Sequence, residues 1–334
     1  MFKKVLVTGG AGYVGSLLVP QLLDEGYLVT VYDTFWYGDD FLPKSNKNLT
    51  LIKGDIRDSE AFNEAVKGIE VVINMACISN DSSFELDENL STSVNLDAFK
   101  PMVLNSKKAG VKRFIYASSS SVYGVSDDPN VTEDHPLVPL TLYNKYKGEC
   151  EPKLFEETNP NFVGVVIRPA TLCGYAPRQR LDLSVNILTN HAVNTGTIKV
   201  FGGSQKRPNL HIKDMASLYS KLLKVEDNLI SNQIFNCSNG NLSIDQISIL
   251  VKNIVEKRYP DKGELMIEKL DSNDQRSYHV NSEKINKVLN FYPKFSIEDA
   301  INDLCDAFDS GKLPNSLVDT KYFNVKRMQE LKVV

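Results

Sequence analysis

Two residues that can move protons stand four positions apart near the middle of the chain. Tyr143 and Lys147 occupy a segment with a helical pattern that runs from about Leu140, and a spacing of four places both side chains on one helix face. An ammonium group near a phenol favours the phenolate, which makes a tyrosine usable as a general base. The ordinary alternative for such a pair is a solvated helix face.

Hydroxyl groups precede this pair, in a run of four serines over residues 118–121. The run directly follows a stretch typical of a β-strand, and residues just beyond a strand end face the crevice of an open α/β sheet. A serine run alone is usually a loop. Combined with Tyr143 and Lys147, it predicts a set of groups that transfers protons at a bound hydroxyl.

A glycine-rich turn follows the first predicted strand. Gly9, Gly12 and Gly15 are spaced so that the backbone turns tightly, approaches a pyrophosphate and packs the next helix on the sheet. The N-terminus of that helix offers free N–H groups to phosphate oxygens. Three glycines alone are a weak signal, but here a strand precedes them, an amphipathic helix follows and an acid ends the next strand. Together these features predict a dinucleotide site.

That acid is Asp33, which comes directly after the predicted strand 28–32. A carboxylate at this place accepts hydrogen bonds from both hydroxyls of the adenosine ribose and repels a 2′-phosphate. The alternative is an ordinary polar strand end. The sequence therefore predicts NAD, rather than NADP, as the cofactor.

The alternation of short and long segments in the first half predicts the frame that positions these groups. β-Branched runs alternate with amphipathic segments, which is the signature of a parallel sheet with helices on both faces. One helix is predicted over residues 87–110, closed by Gly110 and with Pro101 as a point of kinking. The strands are predicted at residues 4–8, 28–32, 50–52, 71–74, 114–117 and 163–167.

This alternation weakens after Pro169, where turn clusters divide the chain into shorter pieces. We therefore predict an α/β protein with a Rossmann-type, doubly wound parallel sheet and a smaller, interleaved C-terminal α/β substrate domain. The tail, residues 311–334, is expected to wrap the surface or to be partly mobile. The NAD-binding domain is predicted at 1–170, with parts of about 207–238 returning to it, and the substrate domain at 171–206 and 239–334.

Composition argues against several classes of protein. The 334 residues are 42% hydrophobic and 24% charged with a net charge of −4, which is ordinary for a globular protein and unfavourable for nucleic-acid binding. No apolar stretch approaches the roughly 20 residues that span a bilayer. Without a signal-peptide pattern, a cytoplasmic location is expected. Five widely spaced cysteines and four scattered histidines predict neither disulfides nor a metal site.

Several segments occur in an order that points to one enzyme superfamily. The chain resembles the extended short-chain dehydrogenase/reductases and, within them, the NAD-dependent nucleotide-sugar epimerases and dehydratases. The resemblance covers nearly the whole chain, and its motifs in this order are highly specific. They are residues 8–15, 54–58, 118–124, 143–147 with Glu151, 167–169 and 207–214.

The resemblance implies roles for particular residues. Tyr143 would be the general acid/base, and Lys147 would hold the nicotinamide ribose. Ser119 would hydrogen-bond the reacting hydroxyl, with Ser120 as the alternative if the loop register shifts by one. The other implied cofactor contacts are Tyr13, Val14, Asp55, Ile56, Met75, Ala76, Cys77, Asn95 and Pro169. Of these, Met75, Cys77 and Pro169 are equally compatible with a packing role.

On the substrate side, the resemblance implies two arginines that grip a diphosphate, Arg207 and Arg276, for which the alternative is a surface ion pair. Residues 176–186 resemble the corresponding segment in a subgroup of nucleotide-sugar epimerases and C4 dehydrogenases from bacterial surface-polysaccharide pathways. In this segment Arg178 and Asn186 are expected to contact the substrate, although Arg178 and Arg180 could equally order the loop. Further sugar contacts are expected from Ser79, Asn80 and Thr171.

Two departures from the family pattern narrow the chemistry. Sugar-nucleotide 4,6-dehydratases carry an Asp-Glu pair directly after the catalytic threonine, where this chain has Ser120 and Ser121. The glutamate of the family's decarboxylases is also missing from this loop. Dehydration and decarboxylation are therefore disfavoured, which leaves oxidation at a sugar carbon, with or without return of the hydride.

We therefore expect an NAD-dependent nucleotide-sugar epimerase of surface-polysaccharide biosynthesis, which oxidises a sugar hydroxyl, C4 being the expected position. The alternative is a 4-dehydrogenase or ketoreductase that releases or consumes the keto sugar. An NADPH-dependent reductase is disfavoured by Asp33, and a non-catalytic NAD sensor by the presence of both Tyr143 and Lys147. The resemblance also implies a homodimer through helices near 88–109 and 140–157. The charge and the short apolar runs predict no nucleic-acid or membrane partner.

Overall fold

The computed structural model describes residues 2–271, 277 and 279–333. Seven of its strands form one parallel sheet, in the order β10-β6-β5-β4-β1-β2-β3, where strands are numbered along the chain. The strands are β1 (Lys4–Thr8), β2 (Leu28–Asp33), β3 (Leu49–Lys53), β4 (Val71–Asn74), β5 (Arg113–Ala117), β6 (Val163–Pro169), β7 (Thr171–Cys173), β8 (Thr197–Phe201), β9 (Lys206–His211), β10 (Gln233–Cys237), β11 (Asn241–Ser243) and β12 (Met266–Leu270).

Helices connect these strands and cover the sheet. They are α1 (Gly15–Asp24), α2 (Ser59–Ala65), α3 (Asp81–Phe84), α4 (Glu88–Thr92), α5 (Phe99–Lys108), α6 (Leu142–Phe155), α7 (Ser184–Thr195), α8 (Ile212–Leu222), α9 (Asp227–Ile230), α10 (Ile244–Arg258), α11 (Glu283–Leu289), α12 (Ile297–Asp309) and α13 (Asn324–Glu330).

The central sheet confirms the predicted Rossmann-type fold. All six strands predicted in the first half form, and each observed strand contains its predicted range. Both faces of the sheet are buried. Successive side chains of β1 therefore alternate between two cores. Val5 and Val7 join the core with α1 and α8, whereas Leu6 packs with the core that contains Phe99 of α5 and Leu154 of α6.

The single helix predicted over 87–110 is wrong in detail. The segment forms α4, a wider π-helical turn at Ser93–Asp97 and then α5. Pro101 lies in the first turn of α5, and the widened turn precedes it.

A second, smaller core lies beyond β6. There α7, α10 and α12 pack with the two-stranded parallel sheet of β8 and β12. The strands β7, β9 and β11 form a separate three-stranded sheet. The chain then returns to the central sheet at β10, which pairs with β6 at the edge.

The tail is ordered and packed. A 3₁₀ turn at Thr320–Tyr322 leads into α13, and the side chains of Tyr322 and Met328 are buried. The chain passes across the end of the central sheet, beside the cavity described below. Within the described ranges, no helix has both the length and the apolar character that crossing a bilayer requires.

Candidate active site

A cavity of about 600 Å³ opens at the carboxyl ends of the parallel strands. Loops that follow β1, β2, β3, β4, β5 and β6 contribute to its wall, as the strand-end rule for open α/β sheets requires. Most of the site residues predicted from the sequence line it: Gly9, Gly12, Tyr13, Val14, Asp33, Asp55, Ile56, Met75, Ala76, Cys77, Ser79, Asn80, Ser119, Ser120, Tyr143, Lys147, Pro169, Thr171, Arg178 and Arg207.

The glycine loop lies at one end of this cavity. Gly9 has a φ of +69°, and a Cβ atom there would lie 2.8 Å from the backbone nitrogen of Ala76, so only glycine fits between the two strand-end loops. Helix α1 begins at Gly15, and no side chain caps its first N–H groups. This uncapped helix N-terminus, approached by a glycine backbone, fits a pyrophosphate.

Asp33 ends β2 beside this loop and is held by two backbone donors. One carboxylate oxygen accepts the N–H of Ala11 at 2.9 Å, and the other accepts the N–H of Phe35 at 2.8 Å. Each oxygen keeps a lone pair that can accept a ribose hydroxyl. Burial raises the pKa of Asp33. A fixed carboxylate at this point fits an unphosphorylated adenosine ribose, so the residues present match NAD.

The tyrosine and lysine lie at the other end of the cavity, on α6. The Thr141 side chain caps this helix. The ammonium of Lys147 is buried, donates to the carbonyl of Ala117 at 2.7 Å and lies 5.9 Å from the centre of the Tyr143 ring. The end of β5 thus holds a positive charge next to the phenol, in the arrangement that favours a phenolate.

The serine loop between β5 and α6 is braced from behind. The Ser118 hydroxyl donates to Glu151 at 2.6 Å, and Arg168 makes a buried two-pronged ion pair with the same carboxylate. Ser119 begins the short helical turn Ser120–Tyr123, and its Oγ lies 2.7 Å from Oγ of Ser121. This bracing holds the Ser119 hydroxyl at the cavity wall.

The loop that carries Arg178 is closed by residues that the sequence analysis did not single out. The Arg178 guanidinium stacks 3.8 Å from the Tyr37 ring centre and donates to Oδ1 of Asn324 at 2.7 Å. Burial and the neighbouring Arg180 lower the pKa of Arg178 to about 10. Arg178 is therefore a buried guanidinium in the cavity wall, close to the charge of Asp33.

Asn324, in the tail, joins separate parts of this wall. Its Nδ2 donates to the Ser79 hydroxyl at 2.9 Å, and its backbone N–H donates to Asp182 at 3.0 Å. Asp182 pairs with Arg180 at 2.9 Å. Nothing in the local sequence pattern of the tail marks Asn324, because its partners lie far away along the chain.

Two of the predicted residues that the structure describes, Asn95 and Asn186, are not part of the cavity wall. The Asn95 side chain accepts from the backbone N–H of Ile78 and donates to its carbonyl, so it braces the loop after β4. Asn186 is fully buried and hydrogen-bonds Gly174, Tyr13 and Arg180, so in this structure it braces the loop, and its predicted substrate contact stays a prediction. Arg276 lies outside the described residues.

A metal site is not built by the described part of the chain. Within residues 2–271, 277 and 279–333, no group of three or more His, Cys, Asp or Glu side chains is placed to hold a metal ion.

Comparisons with known proteins agree with this geometry. The family model of the NAD dependent epimerase/dehydratase family matches residues 5–238. The chain is 28% identical to the low-salt glycan biosynthesis protein Agl12 of Haloferax volcanii, over 91% of this chain and 98% of that protein. It is 27% identical to UDP-arabinose 4-epimerase 1 of Arabidopsis thaliana, over 87% of this chain and 75% of the relative.

A solved structure shows the same fold. The dTDP-glucose 4,6-dehydratase DesIV of Streptomyces venezuelae, crystallised with NAD, has a TM-score of 0.82 at 21% identity, over 94% of this chain and 99% of that one. The fold and the site thus define an enzyme of the extended short-chain dehydrogenase/reductase type that uses NAD. The chain belongs to the NAD dependent epimerase/dehydratase family.

Proposed function

We propose that the chain is an NAD-dependent nucleotide-sugar epimerase that oxidises a sugar hydroxyl, at C4, and then reduces the ketone from its other face. The observation that supports this most is that Tyr143, Lys147 and Ser119 line one cavity with the glycine loop and Asp33. Groups that move a proton at a hydroxyl therefore share a cleft with groups that fit a dinucleotide.

In this proposal each residue has one task. Lys147, held by the carbonyl of Ala117, stabilises negative charge on Tyr143. Tyr143 takes the proton of the sugar hydroxyl, and Ser119 hydrogen-bonds the same oxygen. Bound NAD supplies the acceptor for the hydride. When the hydride returns, Tyr143 gives the proton back to the sugar oxygen.

The wall beyond Tyr143 supports a nucleotide-diphosphate sugar as the substrate. Arg207 is buried and lines the cavity, where a guanidinium suits a diphosphate. Arg276 is proposed as the second diphosphate ligand, and Ser79, Asn80 and Thr171 as sugar contacts. A role in surface-polysaccharide synthesis is supported by the likeness to Agl12, which is named as a glycan biosynthesis protein.

The serine loop favours epimerisation over dehydration. Ser120 and Ser121 both line the cavity, and neither hydroxyl can act as the carboxylic acid and carboxylate that elimination of water needs. A 4-dehydrogenase or ketoreductase remains the second proposal, because the same three groups serve a reaction that stops at the keto sugar.

The proposal is tested by mixing the purified protein with UDP-, dTDP-, GDP- and CDP-sugars and following the near-ultraviolet absorbance of reduced nicotinamide, with product analysis. Formation of a sugar stereoisomer without net NADH is the expected result. Stoichiometric NADH with a keto sugar would establish the dehydrogenase instead. Failure to convert any of these sugars would contradict both.

A further inference from the structure

Ser119 is the partly buried first member of a chain of hydrogen bonds. Its Oγ lies 2.7 Å from Oγ of Ser121, and Ser121 in turn bonds the side-chain amide of Asn144. Asn144 directly follows Tyr143 on α6 and has no exposed surface. The chain therefore runs from the reacting end of the cavity into the protein interior and ends at one amide.

Only one of the two polar atoms of the Asn144 amide has a hydrogen-bond partner. In the structure Oδ1 accepts from the Ser121 hydroxyl, whereas the buried Nδ2 has no partner. A half-turn about the Cβ–Cγ bond exchanges the two ends with almost no change in shape. It brings Nδ2 onto Ser121 and leaves an unpaired carbonyl oxygen, which is the less costly group to bury alone.

The two orientations have opposite consequences for Ser119. Each serine hydroxyl has one proton. If Ser121 donates to Asn144, the Ser119 proton is drawn to Ser121 and Ser119 can only accept from the sugar. If Asn144 donates to Ser121, then Ser121 donates to Ser119, and the Ser119 proton is free for the cavity.

The proposed reaction requires the second orientation. The sugar hydroxyl has one proton, and it must point to Tyr143 in order to be removed. Ser119 then has to donate to the sugar oxygen, both in the alcohol and in the ketone. A donating hydrogen bond at the place where negative charge develops stabilises the transition state most.

We propose that Asn144 is a positioning residue whose amide nitrogen donates to Ser121 and thereby directs the Ser119 proton to the sugar oxygen. This inference rests on the proposed function. Asn144 touches neither the sugar nor the cofactor in this scheme; it acts through two serines.

The test uses variants that change donors and acceptors separately. Asn144→Asp keeps the shape but only accepts once ionised, so it is assayed at about pH 9, where the introduced carboxyl is ionised. The ionised carboxylate accepts a hydrogen bond from the Ser121 hydroxyl. Ser119 then donates to Ser121 and no longer donates to the sugar oxygen. Asn144→Ala removes both ends and leaves Ser121 free to donate to Ser119. The double variant Asn144→Asp/Ser121→Ala removes the link that carries the effect.

The expected result is a loss in kcat of about 10²-fold for Asn144→Asp, with little change in KM or in NAD affinity. Asn144→Ala loses less than Asn144→Asp, although it removes more atoms. The double variant turns over faster than Asn144→Asp alone, and at the rate of Ser121→Ala. Melting temperatures identify variants that have lost the fold. If Asn144→Asp is one of them, the kcat of Asn144→Ala is compared with that of the wild type instead.

The inference is overturned if Asn144→Asp keeps wild-type kcat, if Asn144→Ala is the more damaged variant, or if removing Ser121 does not rescue Asn144→Asp. A wild-type protein that converts no nucleotide sugar overturns the proposed function, and the role of Asn144 with it. A wild-type protein that is active while the variants show no such order overturns the role of Asn144 alone.

Discussion

The two ends of the cavity are assembled differently. At the cofactor end, the glycine loop, α1 and Asp33 come from one continuous βαβ unit, and the Asp33 carboxylate bonds the glycine loop itself through Ala11. In the part of the wall proposed to contact the sugar, Asn324 bonds Ser79, which lies 245 residues earlier in the chain. The first end is built largely from one local unit, which packs on the loop after β4, whereas the second exists only after the tail has packed.

This difference separates two kinds of dependence. Damage at the cofactor end should change which dinucleotide binds and how tightly, because the Asp33 carboxylate and the loop N–H groups are the groups proposed to contact it. Damage in the tail should loosen a wall that several segments share. The reacting groups lie on α6, away from the glycine loop, and loss of Tyr143 should affect turnover with little change in NAD binding.

The largest expected effect is at Tyr143. Tyr143→Phe removes the proton acceptor and should lower kcat by about 10²- to 10⁴-fold while NAD binds normally. Turnover and NAD affinity are measured side by side. Tyr146→Phe is the matched control, since Tyr146 lies on the same helix but packs on Phe84 and should leave turnover intact. Undiminished turnover of Tyr143→Phe would contradict the assignment.

A smaller effect is expected at Asp33. Asp33→Ala removes charge-assisted hydrogen bonds to the ribose and should weaken NAD binding by about 10- to 100-fold while relieving repulsion of the NADP phosphate. The NAD to NADP preference is measured by titrating both cofactors. Asp24→Ala, at the exposed end of α1, serves as the control. An unchanged preference would place the ribose contact elsewhere.

The tail should respond more mildly. Asn324→Ala removes the acceptor of Arg178 and the donor to Ser79, and we expect KM for the nucleotide sugar to rise by about tenfold, with a smaller change in kcat. Asn302→Ala removes an exposed helix hydrogen bond on α12 and is the control. Equal behaviour of the two variants would show that the tail only covers the surface.

The smallest effect concerns pH. Burial raises the pKa of Asp33, so in the free protein this carboxylate is protonated at a higher pH than an ordinary aspartate. NAD affinity should therefore begin to fall on acidification above the pH where an ordinary aspartate titrates, and it should be regained as pH rises. Calorimetric titration across the acidic range measures this. An Asp33→Asn variant with the same pH profile as the wild type would assign the change to another group.

The same contrast explains what could be predicted from the sequence. The glycine loop, Asp33, Tyr143 and Lys147 all line the cavity, and the sequence can single them out because each depends on spacing within one strand, turn or helix. The π-helical turn at Ser93–Asp97 was missed, because the hydrophobic spacing of one continuous helix does not reveal a widened turn.

Residues that act through distant partners could not be found in this way. Asn186 has the polarity of a ligand, but it is satisfied by Tyr13, Gly174 and Arg180, which only the folded chain brings together. Asn324 stands in a tail without periodicity, and its partners come from other segments. Spacing along the sequence carries no information about such contacts.

We propose that the groups in one cavity oxidise and then reduce a single sugar carbon. This proposal is tested most directly by rapid mixing of the NAD-loaded protein with a nucleotide sugar that carries deuterium at C4. We expect a transient rise in reduced-nicotinamide absorbance that deuterium slows, followed by its decay as the inverted sugar forms with the label still at C4. Inversion without any absorbance change or isotope effect would contradict it.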